Sequence, residues 1–315
     1  MKVLITGGAG FIGSHLAEYF QGKAGVRVLD NLHTGHRCNL EGLRVELIEG
    51  SILDEDAVAR AMEGIDLVFH LAARISVPES MEKPQDYVAT NVNGTLNVLE
   101  AAARAGVSGL AFASSAAVYG DNPAVPKVET MLPEPKSPYA ITKLDGEYYC
   151  AMFRNERRLD TACLRFFNVF GPRQDPRSAY AAAVPIFASC ATRNEPITIF
   201  GDGEQTRDFI YVKDVVAALA FVATSRKTHG VYNCGYGQRM TINDLARRII
   251  GIAGSRSEVR YAPGRPGDVQ HSEAGVDRLR DAGFPLTSSL DEGLAATVDY
   301  FKTIAPAAST DKTNA

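Results

Sequence analysis

The sequence predicts an α/β protein built on a doubly wound parallel sheet, with a smaller α/β lobe towards the C-terminus. Short β-branched and apolar runs alternate with longer amphipathic stretches through the first half of the chain, as in βαβ units. Several of the runs are apolar almost throughout, which is expected of strands covered by helices on both faces. The alternation ends after Arg165, so the smaller lobe is predicted in the last third.

The strands of the main sheet are short and are bounded by residues that favour turns. They are predicted at Lys2–Thr6, Val26–Asp30, Arg44–Glu49, Leu67–His70, Gly109–Ala113 and Thr161–Arg165, with Val231–Cys234 returning to the sheet.

Two long helices are predicted between these strands. In Asp86–Ala105 the apolar residues recur at steps of three and four, which places them on one helical face. The second helix is predicted from Pro138 to about Arg158. The remaining elements are loops at Phe167–Tyr180 and Pro263–Asp268, a strand at Ile197–Phe200, helices at Asp214–Thr224 and Thr241–Ala253, and a flexible tail over 305–315.

The composition excludes several classes of protein. The 315 residues include 33 Lys and Arg against 37 Asp and Glu, and the net charge of -4 argues against a nucleic-acid partner. No apolar stretch reaches the ~20 residues of a membrane span, and Gly7 interrupts the N-terminal apolar run before it resembles a signal peptide. We therefore expect a cytoplasmic protein without a membrane partner. The 5 cysteines are scattered, so neither disulfides nor a metal site are predicted.

A glycine-rich turn predicts a dinucleotide site. Gly7, Gly10 and Gly13 follow the first strand and open a helix, where glycines let the backbone approach a pyrophosphate. Asp30 ends the second strand, where an acid accepts the adenosine ribose hydroxyls and repels a 2′-phosphate. The fold is therefore expected to be Rossmann-type and the cofactor NAD. The other predicted cofactor-binding residues lie beside this turn or at strand ends: Phe11, Ile12, Asn31, Ser51, Ile52, Leu71, Ala72 and Ala73.

Tyr139 and Lys143 form the predicted catalytic pair. They are four residues apart near the start of a predicted helix, so they share one face. A neighbouring ammonium and a positively charged nicotinamide would favour the phenolate of Tyr139, which could then act as a base. Ser115 follows the fifth strand at the edge where such sites lie, and it would supply the partner hydroxyl.

These motifs resemble the extended short-chain dehydrogenase/reductase family, and within it the NAD-dependent nucleotide-sugar epimerases. The resemblance spans Met1 to about Tyr300 and is greatest to UDP-glucose and UDP-N-acetylglucosamine 4-epimerases. It implies that Tyr139 is the acid/base, that Lys143 orients the nicotinamide ribose, and that Ser115 binds the sugar 4-oxygen. It also implies a cofactor-side role for Asn91, in Asn-Val-Asn-Gly-Thr.

The same resemblance implies a UDP-sugar site formed largely by the smaller lobe. Two arginines would clamp the diphosphate, an aromatic ring would stack on uracil, and an acid would accept the uridine ribose hydroxyls. The implied substrate-binding residues are Ser76, Ser115, Asn168, Val184, Phe200, Arg207, Arg265, Asp268 and Ser272.

Two features narrow the implied reaction. Relatives that dehydrate or decarboxylate the sugar generally carry an acid just before Val-Tyr-Gly, whereas this chain has Ala116 and Ala117. Alanine cannot transfer a proton, so dehydration is disfavoured. The implied reaction is oxidation of the sugar at C4, rotation of the keto-sugar and its reduction from the other face. The resemblance also implies that Ser272 occupies the position that borders the sugar 2-substituent in these epimerases, where a small residue leaves room for an N-acetyl group.

The sequence therefore predicts 4-epimerisation of a UDP-hexose, first UDP-GlcNAc/UDP-GalNAc and also UDP-Glc/UDP-Gal. An epimerase of a UDP-uronic acid or UDP-pentose and a catalytically silent NAD-binding regulatory protein remain as alternatives. The NAD-binding domain is expected at 1–170 with contributions from about 208–238, and the UDP-sugar lobe at 171–207 and 239–304. The resemblance also implies a homodimer formed through the two long helices.

Overall fold

The computed structural model describes residues 1–157, 159–176, 182–225, 228–264 and 269–304. The described strands are β1 (Lys2–Thr6), β2 (Gly25–Asp30), β3 (Glu46–Glu49), β4 (Leu67–His70), β5 (Gly109–Ser115), β6 (Thr161–Phe166), β7 (Asn168–Phe170), β8 (Ile197–Phe200), β9 (Thr206–Tyr211), β10 (Gly230–Cys234), β11 (Arg239–Thr241) and β12 (Val259–Ala262).

The described α-helices alternate with these strands in the first half and cluster in the second. They are α1 (Phe11–Tyr19), α2 (Glu55–Met62), α3 (Val77–Glu82), α4 (Pro84–Tyr87), α5 (Gly94–Ala105), α6 (Pro138–Arg157), α7 (Ala183–Thr192), α8 (Val212–Thr224), α9 (Ile242–Ala253), α10 (Asp277–Asp281) and α11 (Leu290–Ile304). Short 3-10 helices lie at Arg37–Leu40 and Ala116–Tyr119, and a π-helical turn lies at Val88–Asn93.

Seven of the described strands form one parallel sheet in the order β10-β6-β5-β4-β1-β2-β3. The chain runs outward from β1 in both directions, so the carboxyl ends of β1 and β4 border the crevice where ligands bind in such folds. This confirms the predicted Rossmann-type sheet, including the return of the chain through β10 beside β6.

Side chains alternate between two cores across this sheet. Val3 and Ile5 of β1 pack with α1 and α8 on one face, whereas Leu4 packs with α2, α5 and α6 on the other. Because both faces are covered, the strands need apolar residues at consecutive positions. This explains the continuous apolar runs of the sequence.

The smaller lobe contains short strands and the helices α7, α9, α10 and α11. Strands β11, β9 and β7 form one small sheet, and β12 and β8 form another. Helices α7, α9 and α11 pack against one another beside these sheets.

Several predicted elements differ from the structure. The helix predicted over Asp86–Ala105 is interrupted by the π-helical turn Val88–Asn93, which turns Asn91 into the interior. The predicted loop Phe167–Tyr180 contains β7, which is stabilised by pairing with the distant β9. Strand β3 begins at Glu46 rather than Arg44. Parts of Phe167–Tyr180 and Pro263–Asp268, together with Arg158 and 305–315, lie outside the described residues.

Candidate active site

The glycine turn between β1 and α1 depends on close backbone approaches. Gly7 has a φ of +72°, and a Cβ there would lie 2.8 Å from the Ala72 nitrogen. A Cβ on Gly13 would lie 2.2 Å from the Gly7 carbonyl oxygen. At Gly10 the nearest atom would be that same oxygen, at 3.2 Å, and nothing else described lies within 4 Å. The space in front of the α1 N-terminus therefore stays open to an approaching pyrophosphate.

The N-terminus of α1 fits this use. No described side chain caps the helix at Gly10. The amide groups of Phe11 and Ile12 in the first turn have no partner within the helix, and the helix dipole favours a negative charge beside them. The backbone is suited to bind the diphosphate of a dinucleotide.

Asp30 lies at the end of β2 and braces the glycine turn. Its Oδ2 accepts a hydrogen bond from the Ala9 amide at 2.9 Å, and its Oδ1 accepts one from Leu32 at 2.8 Å. Each carboxylate oxygen has a further lone pair, so the side chain can also accept from a ribose hydroxyl. The next residue, Asn31, is exposed, and its Oδ1 accepts from the His33 amide.

The segment after β4 runs beside the glycine turn. The Leu71 and Ala72 amides donate to the carbonyl and the hydroxyl of Thr6, at 3.1 and 3.3 Å. Ala73 follows as a half-buried residue. Small side chains here let the backbone pass close to the turn.

The other side of the turn is bordered by the segment after β3. Ile52 is buried, and its side chain occupies the space that a Cβ on Gly94 of α5 would fill. The Ser51 hydroxyl accepts from the Leu53 amide at 3.1 Å.

The buried side chain of Asn91 connects two neighbouring segments. Its side chain is 2% exposed, accepts from the Arg74 amide at 2.8 Å, and donates to the Arg74 carbonyl and the Thr142 hydroxyl, each at 3.0 Å. Thr142 lies on α6 and donates to the Tyr139 carbonyl. Asn91 therefore joins the segment after β4 to the helix that carries Tyr139. π-Helical turns such as the one containing Asn91 are frequent at functional sites.

His70, which was not among the predicted site residues, links β1 and β4 to the π-helical turn. Its Nδ1 lies 2.7 Å from the Thr6 hydroxyl and its Nε2 lies 2.9 Å from the Thr95 hydroxyl. Thr95 in turn donates to the Asn91 carbonyl at 2.6 Å. Burial, with a smaller contribution from the charge of Lys143, lowers the pKa of His70 to about 3.

The structure brings the three predicted catalytic residues together. Tyr139 and Lys143 lie on α6, and Ser115 ends β5, where its hydroxyl is close enough to the Tyr139 phenol to lower the pKa of that phenol. The Lys143 ammonium lies 6.0 Å from the centre of the Tyr139 ring and donates to the Ala113 carbonyl at 2.7 Å.

Burial dominates the acid–base properties of this group. It raises the pKa of Tyr139 above its usual value, against an opposing effect of the Ser115 hydroxyl. It also lowers the pKa of Lys143 to about 8. In the protein without its ligands the phenol is therefore protonated at neutral pH. Lys143 does not reverse the upward shift of the Tyr139 pKa. Formation of the phenolate therefore requires the further positive charge expected of an oxidised nicotinamide.

The predicted substrate residues lie on several distant segments. Asn168 on β7 donates to the Asp208 carbonyl at 3.0 Å, and Arg207 lies on the adjacent β9. The Ser272 amide donates to the Thr206 carbonyl at 3.1 Å, which places Ser272 against the start of β9. Asn168, Arg207 and Ser272 therefore share one region.

The remaining substrate residues differ in their surroundings. Phe200 ends β8 and is 37% exposed, whereas the Val184 side chain is buried in the core, so Val184 can offer only its backbone. Ser76 caps α3 by accepting from the Glu79 amide at 3.2 Å. Arg265 and Asp268 lie outside the described residues.

Asp208 is a second residue that the sequence did not indicate. It is fully buried on β9, and its carboxylate accepts from the amides of Tyr236, Gly237 and Ala274 at 2.6, 2.9 and 3.0 Å. Burial raises its pKa to about 6 although these bonds act in the opposite direction. Asp208 holds three segments of the smaller lobe together.

The described residues hold no cluster of three or more His, Cys, Asp or Glu that could bind a metal ion. Within the same ranges, no helix combines the length and apolar character that crossing a membrane requires.

The sheet, the glycine turn and the Ser–Tyr–Lys group define a dinucleotide-dependent enzyme of the hydride-transferring type. The chain belongs to the NAD dependent epimerase/dehydratase family, which its residues 3–235 match. NAD is accordingly the cofactor.

Similar proteins cover nearly the whole chain. UDP-glucose 4-epimerase of Mycolicibacterium smegmatis is 37% identical over 310 residues, 96% of this chain and 99% of that protein. The solved UDP-N-acetylglucosamine 4-epimerase of Methanobrevibacter ruminantium, in complex with UDP-N-acetylmuramic acid, has a TM-score of 0.92, with 39% identity and coverage of 96% and 98%. UDP-glucose 4-epimerase of Thermotoga maritima with UDP-glucose has a TM-score of 0.91, with 40% identity and coverage of 96% and 99%.

The similarity also extends to another reaction. A UDP-N-acetyl-alpha-D-glucosaminuronate decarboxylase of Bacillus cytotoxicus is 33% identical, with coverage of 96% and 98%. The site residues must therefore decide between the reactions of the family.

Proposed function

We propose that this protein is a UDP-sugar 4-epimerase that prefers UDP-GlcNAc and UDP-GalNAc and also accepts UDP-Glc and UDP-Gal. The observation that carries the proposal is the Ser115–Tyr139–Lys143 group together with its surroundings: Ala116 and Ala117 directly follow Ser115 in the chain. The group can transfer a proton at one oxygen, but neither alanine can supply the second acid or base that a dehydration needs.

The proposed mechanism uses each side chain at a stated atom. The Tyr139 phenolate takes the proton from the sugar 4-hydroxyl and later returns it, while the Ser115 hydroxyl holds the same oxygen in place. Lys143 adds positive charge near the phenolate and binds ribose hydroxyls. NAD, when bound, supplies the hydride acceptor and then the donor at the sugar C4, so that no soluble reductant is consumed.

The substrate preference is proposed from Ser272. Its amide is tied to the Thr206 carbonyl, beside Arg207, so its short side chain borders the region proposed for the sugar and diphosphate. A small residue leaves room for an acetamido group. The epimerases named above provide further support, since one acts on UDP-N-acetylglucosamine and the other was solved with UDP-glucose.

The test is nuclear magnetic resonance of the products after incubating purified protein with UDP-GlcNAc, UDP-Glc, UDP-glucuronic acid or UDP-xylose, without added reductant. We expect UDP-GalNAc from the first and a slower formation of UDP-Gal from the second. Turnover of the uronic acid or pentose alone would support those alternatives. Retention of NAD with no turnover of any of these sugars would support a binding protein, and a 4-keto-6-deoxy product would overturn epimerisation.

We also propose that two chains pair through α6 and the adjoining helices. Ile141, Tyr148 and Met152 are exposed apolar residues on one side of α6. Met81 on α3 and Val88 in the π-helical turn are also exposed, on elements that pack against α6. Sedimentation equilibrium should give a dimer, and Tyr148→Glu should shift it towards monomer.

A further inference from the structure

A buried ion pair lies beneath the helix that carries Tyr139 and Lys143. Glu147 and Arg165 are 4% and 3% exposed. They form two parallel bonds, with Arg165 Nε 2.9 Å from Oε1 and Nη2 2.7 Å from Oε2 of Glu147. Glu147 lies one further helical turn beyond Lys143, so Tyr139, Lys143 and Glu147 follow one another along α6.

Glu147 also binds the strand that carries Ser115. The Ser114 hydroxyl donates to Oε1 of Glu147 at 2.5 Å. Ser114 immediately precedes Ser115, whose hydroxyl faces the Tyr139 phenol closely enough to lower its pKa. One carboxylate therefore connects the end of β5 to α6, close to the two hydroxyl groups that must meet at the substrate oxygen.

The network continues towards the proposed substrate segment. The Arg165 guanidinium lies 4.7 Å from the centre of the Tyr119 ring, and the Tyr119 hydroxyl donates to Oδ1 of Asn233 at 2.6 Å. The Asn233 side-chain Nδ2 donates to the carbonyl of Gly275, which lies shortly after Ser272 in the chain, at 3.1 Å. The ion pair is thus connected, through Tyr119 and Asn233, to the segment that follows Ser272.

Stability alone does not explain this pair. Removing two charges from water is costly, and a buried ion pair is often no more stabilising than apolar residues of the same volume. Its directional bonds do fix the relative position of the groups that it joins. The position of the pair, between β5 and α6, is where such precision would affect the reaction.

We propose that Glu147 and Arg165 are positioning residues that hold Ser115 against the Tyr139 phenol through Ser114. This inference rests on the proposed function for its kinetic consequences, although the Ser115–Tyr139 contact itself can be tested without a substrate.

The inference predicts a change in the ionisation of Tyr139. The Ser115 hydroxyl lowers the pKa of that phenol, so a misplaced Ser115 leaves the pKa higher. The phenolate then forms at higher pH, and the ascending limb of the kcat–pH profile moves in the same direction.

The titratable and charged groups around Tyr139 and Glu147 are Lys143 and Cys150 on α6, Tyr87 on α4, His70 on β4, Cys163 and Arg165 on β6, and Tyr119 after β5.

The central variant is Ser114→Ala, which removes one bond to Glu147 and leaves the ion pair in place. We expect kcat for the UDP-sugar to fall about 10-fold to 100-fold with KM little changed, because small misplacements of reacting groups have effects of this size. The ascending limb of the pH profile should move to higher pH. Glu147→Leu combined with Arg165→Met should give the same kinetic change in a folded protein.

Thr161→Val is the matched control. The Thr161 hydroxyl is buried and donates to the Cys150 carbonyl at 2.8 Å, so it also joins α6 to β6, but at the end of the helix away from Tyr139. This variant should lose a similar amount of thermal stability while keeping the kcat and pH profile of the unmodified protein.

A second readout does not require turnover. In the NAD-loaded protein, the ultraviolet absorbance of the Tyr139 phenolate, taken as a difference from Tyr139→Phe, should appear at higher pH in Ser114→Ala than in Thr161→Val. Equal titrations and equal kcat values in these two variants would overturn the positioning role. Absence of epimerisation by the unmodified protein would instead count against the proposed function, and the phenolate titration would still decide the inference.

Discussion

The cofactor side and the substrate side of the proposed active site are held in different ways. On the cofactor side, backbone packs directly on backbone, since a Cβ on Gly13 would lie 2.2 Å from the Gly7 oxygen. On the substrate side, the buried carboxylate of Asp208 joins β9 to two other segments through their backbone amides. The backbone packing at Gly13 cannot accept an added methyl group. At Asp208, by contrast, a residue of the same shape can replace the aspartate and remove only hydrogen bonds. We therefore expect substitutions on the two sides to fail differently.

The largest effect is expected at Gly13. Gly13→Ala places a methyl group against backbone that cannot move without shifting β1 and the Gly7 turn, so we expect a loss above about 4 kcal/mol in the free energy of unfolding and loss of bound NAD. Urea unfolding and NAD retention after gel filtration measure this.

Gly203→Ala is the matched variant on the substrate side. Its Cβ would meet the side chain of Asn243 at 2.1 Å rather than backbone, at a φ of +79°. That side chain can move by giving up its hydrogen bonds to the Asp202 carbonyl, Glu204 and Tyr261. We therefore expect the strain of the left-handed conformation plus the loss of these exposed bonds, about 2–3 kcal/mol in total, with NAD retained. Equal losses in Gly13→Ala and Gly203→Ala would contradict the difference between the two sides.

The next largest effect is expected where the two sides meet. Tyr139→Phe removes the proposed acid/base hydroxyl, and we expect kcat to fall about 1,000-fold. NAD and UDP-sugar binding, measured by calorimetry, should stay within a few fold. Loss of either ligand would show that Tyr139 stabilises the cleft rather than acting in the chemistry.

A smaller effect is expected from the ionisation of Asp208. Its folded pKa of about 6 lies above the ordinary 3.8, so the folded state binds the proton more tightly than the unfolded state. The stability that this proton confers is present below pH 3.8 and is lost as the pH rises through 6, in total about 3 kcal/mol.

Asp208→Asn provides the comparison, because asparagine does not titrate. The unfolding free energy of the unmodified protein should decline relative to this variant as the pH rises through 6. The variant also leaves at least one backbone amide without its acceptor, so KM for the UDP-sugar should rise about tenfold while NAD affinity is unchanged. A parallel pH dependence in both proteins would refute the raised pKa.

The smallest effect is expected at Ser272. Ser272→Tyr should fill the space proposed for the acetamido group and reduce kcat/KM for UDP-GlcNAc about 10-fold to 100-fold more than for UDP-Glc. Product formation from the two substrates in one mixture measures the ratio directly. Equal losses would show that Ser272 does not border the sugar 2-substituent.

The sequence predicted most of the main sheet because burial on both faces demands consecutive apolar residues, as in Val3, Leu4 and Ile5. It also predicted the glycine turn, whose steric requirements are local. Strands β7 and β11 were missed because each has only three residues, and their common partner β9 was missed because the strands it pairs with lie far along the chain.

The missed site residues share one property. His70, Glu147 and Asp208 are buried polar residues, and their roles depend on neighbours that only the folded chain supplies. Two of them could have been found from the sequence. Asp208 is adjacent to the predicted Arg207, and Glu147 is spaced by helical turns from Tyr139 and Lys143. No comparable pattern marked His70, apart from its place at the end of β4.

The hydrogen bonds around His70 run in a single direction. Thr95 gives its proton to the Asn91 carbonyl and so must receive one from Nε2, while Thr6 accepts from the Ala72 amide and gives its own proton to Nδ1. The imidazole is therefore fixed as one neutral tautomer and stays uncharged down to about pH 3. Histidine commonly responds to physiological pH, but His70 here stays neutral across that range. The ends of β1 and β4 therefore keep a constant charge at this residue while Tyr139 and Lys143 titrate.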